Sequence, residues 1–158
     1  MVKEKKQEFT YRITKANKSQ LIVILYEMVL QYLQDALEAH EKKDKEEYKN
    51  SILGAKNCLD ELISSLNFEY ELAHRLRGLY YFYKRELSTA SVMEKTELIP
   101  PIMEMIGELK KSYETIAKED TSAPIMENTQ AVYAGLTYSK DSLNINLSDQ
   151  GSNSGFRV

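Results

Sequence analysis

Few residues of this chain are of the kinds that staple a fold or build a reactive centre. Cys58 is its single cysteine, which excludes an intramolecular disulfide framework and fits a reducing compartment, where a lone thiol serves as a small buried hydrophobe. Basic residues do not exceed acidic ones: 21 Lys and Arg against 24 Asp and Glu leave a net charge of -3. That balance gives no electrostatic footprint for nucleic acid or for an anionic membrane surface. Long apolar runs are also missing. The greasiest stretch, SQLIVILYEMVL at 19–30, is interrupted by Glu27 and falls short of the ~20 residues a membrane helix needs. Lys3, Lys5, Lys6, Arg12, Lys15 and Lys18 precede it as they would a signal h-region, yet no small-residue cleavage site follows. The expectation is a cytoplasmic chain with no membrane insertion and no nucleic-acid partner.

Reactive motifs are equally scarce. There is no phosphate-cradling glycine loop, Walker lysine, H-E-x-x-H or G-x-S-x-G. Glu71 and His74 form an E-x-x-H, half of a di-iron carboxylate motif, but His40 has Leu37 three residues before it, so the second half is absent. Asp60 and Glu61 are neighbours on a helix and point different ways. These absences predict no enzyme, no metal and no cofactor.

What the sequence does contain is helical periodicity. From 19 to about 43, Gln20, Glu27, Gln31, Gln34, Asp35 and Glu38 share one narrow polar stripe, while Leu21, Ile22, Leu25, Tyr26, Val29, Tyr32, Leu33, Ala36 and Leu37 form an apolar sector. Asn17 or Ser19 suits its N-cap. Asp44 and Glu47 make a capping-box-like start for a second helix, in which Tyr48, Ile52, Ala55, Leu59, Leu62 and Leu66 recur at spacings of four and three. Leu72, Leu76, Leu79, Tyr83, Leu87 and Ala90 mark a third, and Ile99, Ile102, Ile106, Leu109, Tyr113 and Ile116 a fourth, with Pro100 and Pro101 in its first turn. Short connections make consecutive helices antiparallel neighbours, so the predicted fold is all-α, an up-down four-helix bundle over 19–118. Residues 1–18 read as an N-terminal extension. Beyond Glu119, Pro124, Gly135, Gly151 and Gly155 appear amid Ser, Asn and Thr, so 119–158 reads as a poorly ordered tail.

The first helix is more apolar than one bundle requires. Ile24 falls inside its polar stripe, Met28 borders the stripe on one side, and Val23 and Leu30 border it on the other. Stray surface hydrophobes are one account; a partner segment laid over the excess is the other. A structural adaptor that uses this face for homodimerisation belongs to the second account. In YYFYKRE, 80–86, Tyr80 and Tyr83 join the core stripe, leaving Tyr81 and Phe82 as surplus aromatics; base stacking is disfavoured without a basic surface.

The stretch ITKANKSQLIVILYEMVLQYLQDAL, 13–37, resembles the opening signature of the FliS family of flagellar export chaperones, approximately V-x-T-A-S-P-x-x-L-I-x-x-L-Y-x-x-x-I-x-x-L, through Ile13, Ala16, Leu21, Ile22, Leu25, Tyr26, Leu30 and Leu33. LRGLYYFYKRELSTAS resembles the family's third-helix pattern through Leu79, Tyr80, Tyr83, Leu87 and Ala90, with Lys84 or Arg85 as its basic residue. ELIPPIMEMIGELKKSY is similar to its final helix, with Tyr113 in place of the usual tryptophan. Two departures stand out: Asn17-Lys18 replaces the family's Ser/Thr-Pro, and Glu8 stands where a tyrosine is expected, beside Phe9 and Tyr11. The resemblance implies a cytoplasmic chaperone that binds the C-terminal region of flagellin without nucleotide, prevents premature polymerisation and assists flagellar type III export, with the export gate as a further partner once flagellin is loaded. The partner-binding candidates are then Ile13, Leu21, Val23, Ile24, Met28, Leu30, Tyr81 and Phe82. On this reading Leu25→Asp unfolds or severely destabilises the bundle, and Ile24→Asp leaves it folded while flagellin affinity falls roughly ten- to a hundredfold or more. The weakly charged AVYAGLTYSKDSLNINL, 131–147, is expected to lie back on the bundle and compete with flagellin.

Overall fold

A computed structural model of the chain describes residues 1–126, and these form five helices and no strand. The helices are α1 (Lys3–Lys15), α2 (Lys18–Glu41), α3 (Lys45–Ser64), α4 (Glu71–Met93) and α5 (Ile99–Glu119), the last entered through a 3-10 turn at Thr96–Leu98. The expected conformation of 131–147 lies outside the described residues.

The ends form where the chemistry asks for them. Asn17 caps α2 in a full capping box: its Oδ1 accepts from the Gln20 amide, and the Gln20 side chain accepts from the Asn17 amide, both at 2.9 Å. Asp44 caps α3 by accepting from the Glu47 amide at 3.1 Å, although the Glu47 carboxylate turns away to Ser51. The α2–α3 turn places Lys43 in the left-handed region at φ 59, so that the Asp44 amide reaches the Ala39 carbonyl and closes the helix end. Pro100 and Pro101 occupy the first turn of α5, where missing amides cost no helical bond.

Side-chain contacts fix the directions. Ile22 and Leu66 line one cleft at the start of α2 and beyond the end of α3, and His40 meets Tyr48 at a ring distance of 5.4 Å, so α3 runs back along α2. The Tyr48 hydroxyl donates to the Ala90 carbonyl at 2.7 Å and Lys84 pairs with Asp60, which sets α4 antiparallel to α3. Tyr26 meets Tyr113 edge-on at 5.6 Å and Leu30 neighbours Met103, so α5 is antiparallel to α2. Gly54 allows the close approach of α2 and α3, since a Cβ there would stand 2.5 Å from the Tyr32 ring.

The N-terminal extension is itself a helix, which the sequence reading did not assign. Helix α1 packs antiparallel on α2: Arg12 pairs with Glu27, and Lys5 and Phe9 line a hollow with Leu30, Gln31 and Gln34. The stripe of α2 read as solvent-facing therefore faces α1. This corrects the placement of Ile24, which is buried at 4% exposure and belongs to the main apolar cluster with Phe9 and Ile13. Helix α2 is central rather than peripheral, with α1, α3 and α5 around it.

Candidate functional site

Four of the eight sequence-predicted site residues, Ile13, Val23, Ile24 and Leu30, meet where α1 lies on α2. Ile13, Leu21, Val23, Ile24 and Met28 are all buried, and Leu30 is half-buried against the same cluster. Tyr81 and Phe82 are not among them; both are exposed on α4. The surplus apolar surface of α2 thus exists, and in this structure the chain covers it with its own N-terminus.

The cover is attached through few groups, among them the Met1 amino group, which pairs with Asp35 at 3.1 Å and with Glu47 at 3.6 Å. Its sequence, KEKKQEFTYRITK, is mostly charged, and Phe9 and Ile13, one helical turn apart, are its only buried residues. Phe9 is a functional candidate that the sequence reading passed over; its i, i+4 pairing with Ile13 inside a charged stretch is the signal that marks an amphipathic helix. Arg12 bonds Glu27, and this hydrogen bond raises the guanidinium pKa further, opposed by partial burial. The Lys5 ammonium and the Arg12 guanidinium lie 5.3 and 5.6 Å from the Phe9 ring centre. Only Ala16 and Asn17 join α1 to α2.

Two clefts flank the N-terminal half of α2. One, of about 420 Å³, opens between α1, α2 and α5, with Tyr11, Ala16, Val23, Ile24 and Ala117 as its apolar wall and Arg12, Lys15, Glu114 and Lys118 at its rim. The other, of about 400 Å³, lies between the start of α2, the α3–α4 connection and α4, walled by Ile22, Leu66, Leu72, Leu76, Tyr80 and Tyr113. Behind it the Tyr26 and Tyr80 hydroxyls bond each other, and burial pushes both above the ordinary phenol range. Open apolar clefts with charged rims suit an amphipathic polypeptide segment better than an enclosed small molecule.

The residues after α5 close the α1–α2 joint from outside. Asn17, already the cap of α2, donates through Nδ2 to the carbonyls of Asp120 and Ser122 at 3.2 and 3.3 Å. The Ser19 hydroxyl donates to Asp120 at 2.6 Å, the Ile125 amide donates to the Ala16 carbonyl at 3.1 Å, and Met126 is buried. The Ser122 and Ser19 hydroxyls hold the Asp120 carboxyl down to about 2. Residues 120–126 form a strap, where the sequence reading expected the start of a loose tail.

The candidates for chemistry sit apart. Glu71 pairs with Arg75, and the His74 ring nitrogen lies 3.0 Å from the Phe68 carbonyl oxygen, both on the surface. Asp60 bonds Lys84, and Cys58 is buried. Among the described residues no three His, Cys, Asp or Glu side chains are grouped to hold a metal, and no helix is long and apolar enough to cross a membrane.

Comparison with known proteins bears on the whole of this architecture. The chain is similar to the flagellar secretion chaperone FliS of Bacillus subtilis (strain 168), at 23% identity over 101 residues, 64% of this chain and 76% of that protein. A family model described as flagellar protein FliS matches residues 1–120, taking in α1 as well as the helices it covers. With three quarters of its length matched by that model, from the first residue through the end of α5, the chain belongs to the FliS family of flagellar proteins.

Proposed function

We propose that this protein is a cytoplasmic chaperone for flagellin, holding flagellin's C-terminal region on α2 until export through the flagellar type III apparatus. The observation that carries this reading is the over-wide apolar face of α2, with Val23 and Ile24 beside a charged helix that buries only Phe9 and Ile13 of its own. A disordered partner that folds on binding loses ordering entropy, so it needs a long apolar track. Phe9 and Ile13 fill part of that track in the free protein, and an amphipathic flagellin segment placed there buries the same surface. The exchange keeps Val23 and Ile24 out of water in both states, which suits a protein that waits unloaded in the cytosol. Nothing in this cycle requires nucleotide, metal or a reactive side chain. The loaded protein, with α1 displaced, offers the export gate a surface that the free protein does not have.

The direct test is calorimetric titration of the full chain with a C-terminal flagellin fragment from the same bacterium, with sedimentation of the free protein alongside. The expected result is a saturable complex with a large negative heat-capacity change, from apolar burial and coupled folding. Absence of binding, together with a mass that rises with concentration, would instead make the α2 face a homodimer contact.

A further inference from the structure

Helix α4 carries a second surface, remote in chemistry from the apolar track on α2. Arg77, Tyr81 and Arg85 stand at i, i+4 and i+8, a single ridge along the outer side of the helix. The Arg77 guanidinium lies 5.7 Å from the ring centres of both Phe68 and Tyr81, and that of Arg85 lies 6.0 Å from Phe82. Phe68, Tyr81 and Phe82 are 45, 40 and 44% exposed, so the rings orient the two cations and are themselves only half covered. The described arginines divide sharply. Arg12 has Glu27 and Arg75 has Glu71, whereas among the described residues Arg77 and Arg85 have no carboxylate within 4.0 Å. Beside the ridge is Gly78, where an added Cβ would meet nothing within 4 Å. A facing backbone can therefore approach closely there.

We infer that this ridge docks an acidic amphipathic helix of a protein partner, one that presents two carboxylates about two turns apart with an apolar side chain between them. The spacing follows from helix geometry: eight residues at 1.5 Å each separate Arg77 from Arg85 by ~12 Å, which a facing helix matches with carboxylates seven or eight residues apart. Each guanidinium presents its fork to a carboxylate while its plane rests near a ring, so little ordering entropy remains to be lost on binding. The apolar residue between the carboxylates meets Tyr81 and Phe82, and Gly78 lets the two helices close. Charge complementarity selects an acidic peptide over nucleic acid: the chain carries a net charge of -3, and Glu71 and Glu86 on the same helix repel a phosphate backbone without blocking two discrete ion pairs.

The test uses the full chain and fluorescence anisotropy with a synthetic helical peptide that carries two glutamates eight residues apart and a leucine midway. Its controls are the same peptide with lysines for the glutamates, and an oligouridylate. The expected result is saturable binding of the glutamate peptide, weakening steeply with salt and reduced at least about tenfold by the double variant Arg77→Gln/Arg85→Gln. Gly78→Leu should weaken binding likewise, while the melting temperature holds or rises because the added side chain meets open space. Equal binding of the lysine peptide, unchanged affinity in either variant, or tighter binding of the oligouridylate would overturn the inference. Titration of the flagellin fragment into the double variant should match wild type; its loss would place this ridge inside the flagellin site and overturn a separate partner.

Discussion

Shortening Phe9 to alanine should make the protein bind flagellin more tightly. Phe9 and Ile13, each 2% exposed, are the two anchors of α1. Each contributes ~1.5–3 kcal/mol by burial, and the Arg12–Glu27 pair and the Met1 amino group's pair with Asp35 add about 1 kcal/mol each after desolvation. Ordering α1 against the bundle consumes part of this sum, so α1 is held by a few kcal/mol at most. Phe9→Ala removes ~2 kcal/mol or more of that. A ligand that needs α1 displaced binds with an apparent affinity reduced by the fraction of molecules in which it is displaced. At ~1.4 kcal/mol per tenfold, the variant should raise that fraction, and the affinity for a flagellin C-terminal fragment, roughly thirtyfold, levelling off once α1 is mostly undocked. Calorimetric titration of both proteins measures the affinity, and amide hydrogen exchange over residues 3–15 reports whether α1 has loosened. Faster exchange in α1 with equal or weaker flagellin binding would refute the argument, because α1 would then not occupy the flagellin track.

Further expectations concern the frame. Leu25→Asp, at a position 3% exposed in the bundle core, should destabilise the fold severely, whereas Ile24→Asp, 4% exposed beside α1, should undock α1; unchanged amide exchange over residues 3–15 in a folded Ile24→Asp protein would contradict the packing of α1. Gly54→Ala should lower stability by ~1–3 kcal/mol in urea titration, since its Cβ meets the Tyr32 ring at 2.5 Å, whereas Gly107→Ala, where nothing lies within 4 Å, should raise it by ~0.5–1 kcal/mol. Tyr26 and Tyr80 have folded-state pKa values above the ordinary 10.0, so their contribution is complete below that pH and is lost as pH rises beyond it. The urea midpoint should therefore fall between about pH 10 and 11, at up to ~1.4 kcal/mol per pH unit for each tyrosine, and less steeply in Tyr26→Phe. Asp120 has the opposite sign: held down to about 2 from an ordinary 3.8, it favours the docked strap above that ordinary value and loses this as pH falls through about 2. Hydrogen exchange at Ser122 should accelerate over that window, and Ser19→Ala should shift the acceleration to higher pH.

Residue order alone specified α2 to α5, the caps of α2 and α3 and most of each apolar sector, but not α1, and it put Leu72 and Ile116 in sectors where the structure leaves both exposed. Asn17 and Asp44 as N-caps, Pro100 and Pro101 in a first turn, and the sectors of α2 to α5 follow from bonds within a few residues and from the angular repeat, both of which a sequence carries. Periodicity gives the direction of each side chain about its own helix axis and says nothing of what stands in that direction. Ile24 was placed at the correct angle, beside Glu27 and Gln31; that α1 fills that direction depends on contacts from Arg12 to Glu27 and from Phe9 to the same face. The strap was illegible for the same reason. Asn17 and Asp120 are 103 positions apart, and a threonine, a serine, an alanine and a proline in succession look like an ordinary loop until the fold brings them over the α1–α2 joint. The excess of grease on α2 was therefore a property of the sequence, and the tertiary structure decided what covers it, because burial is a relation between segments and only the packed chain brings those segments together.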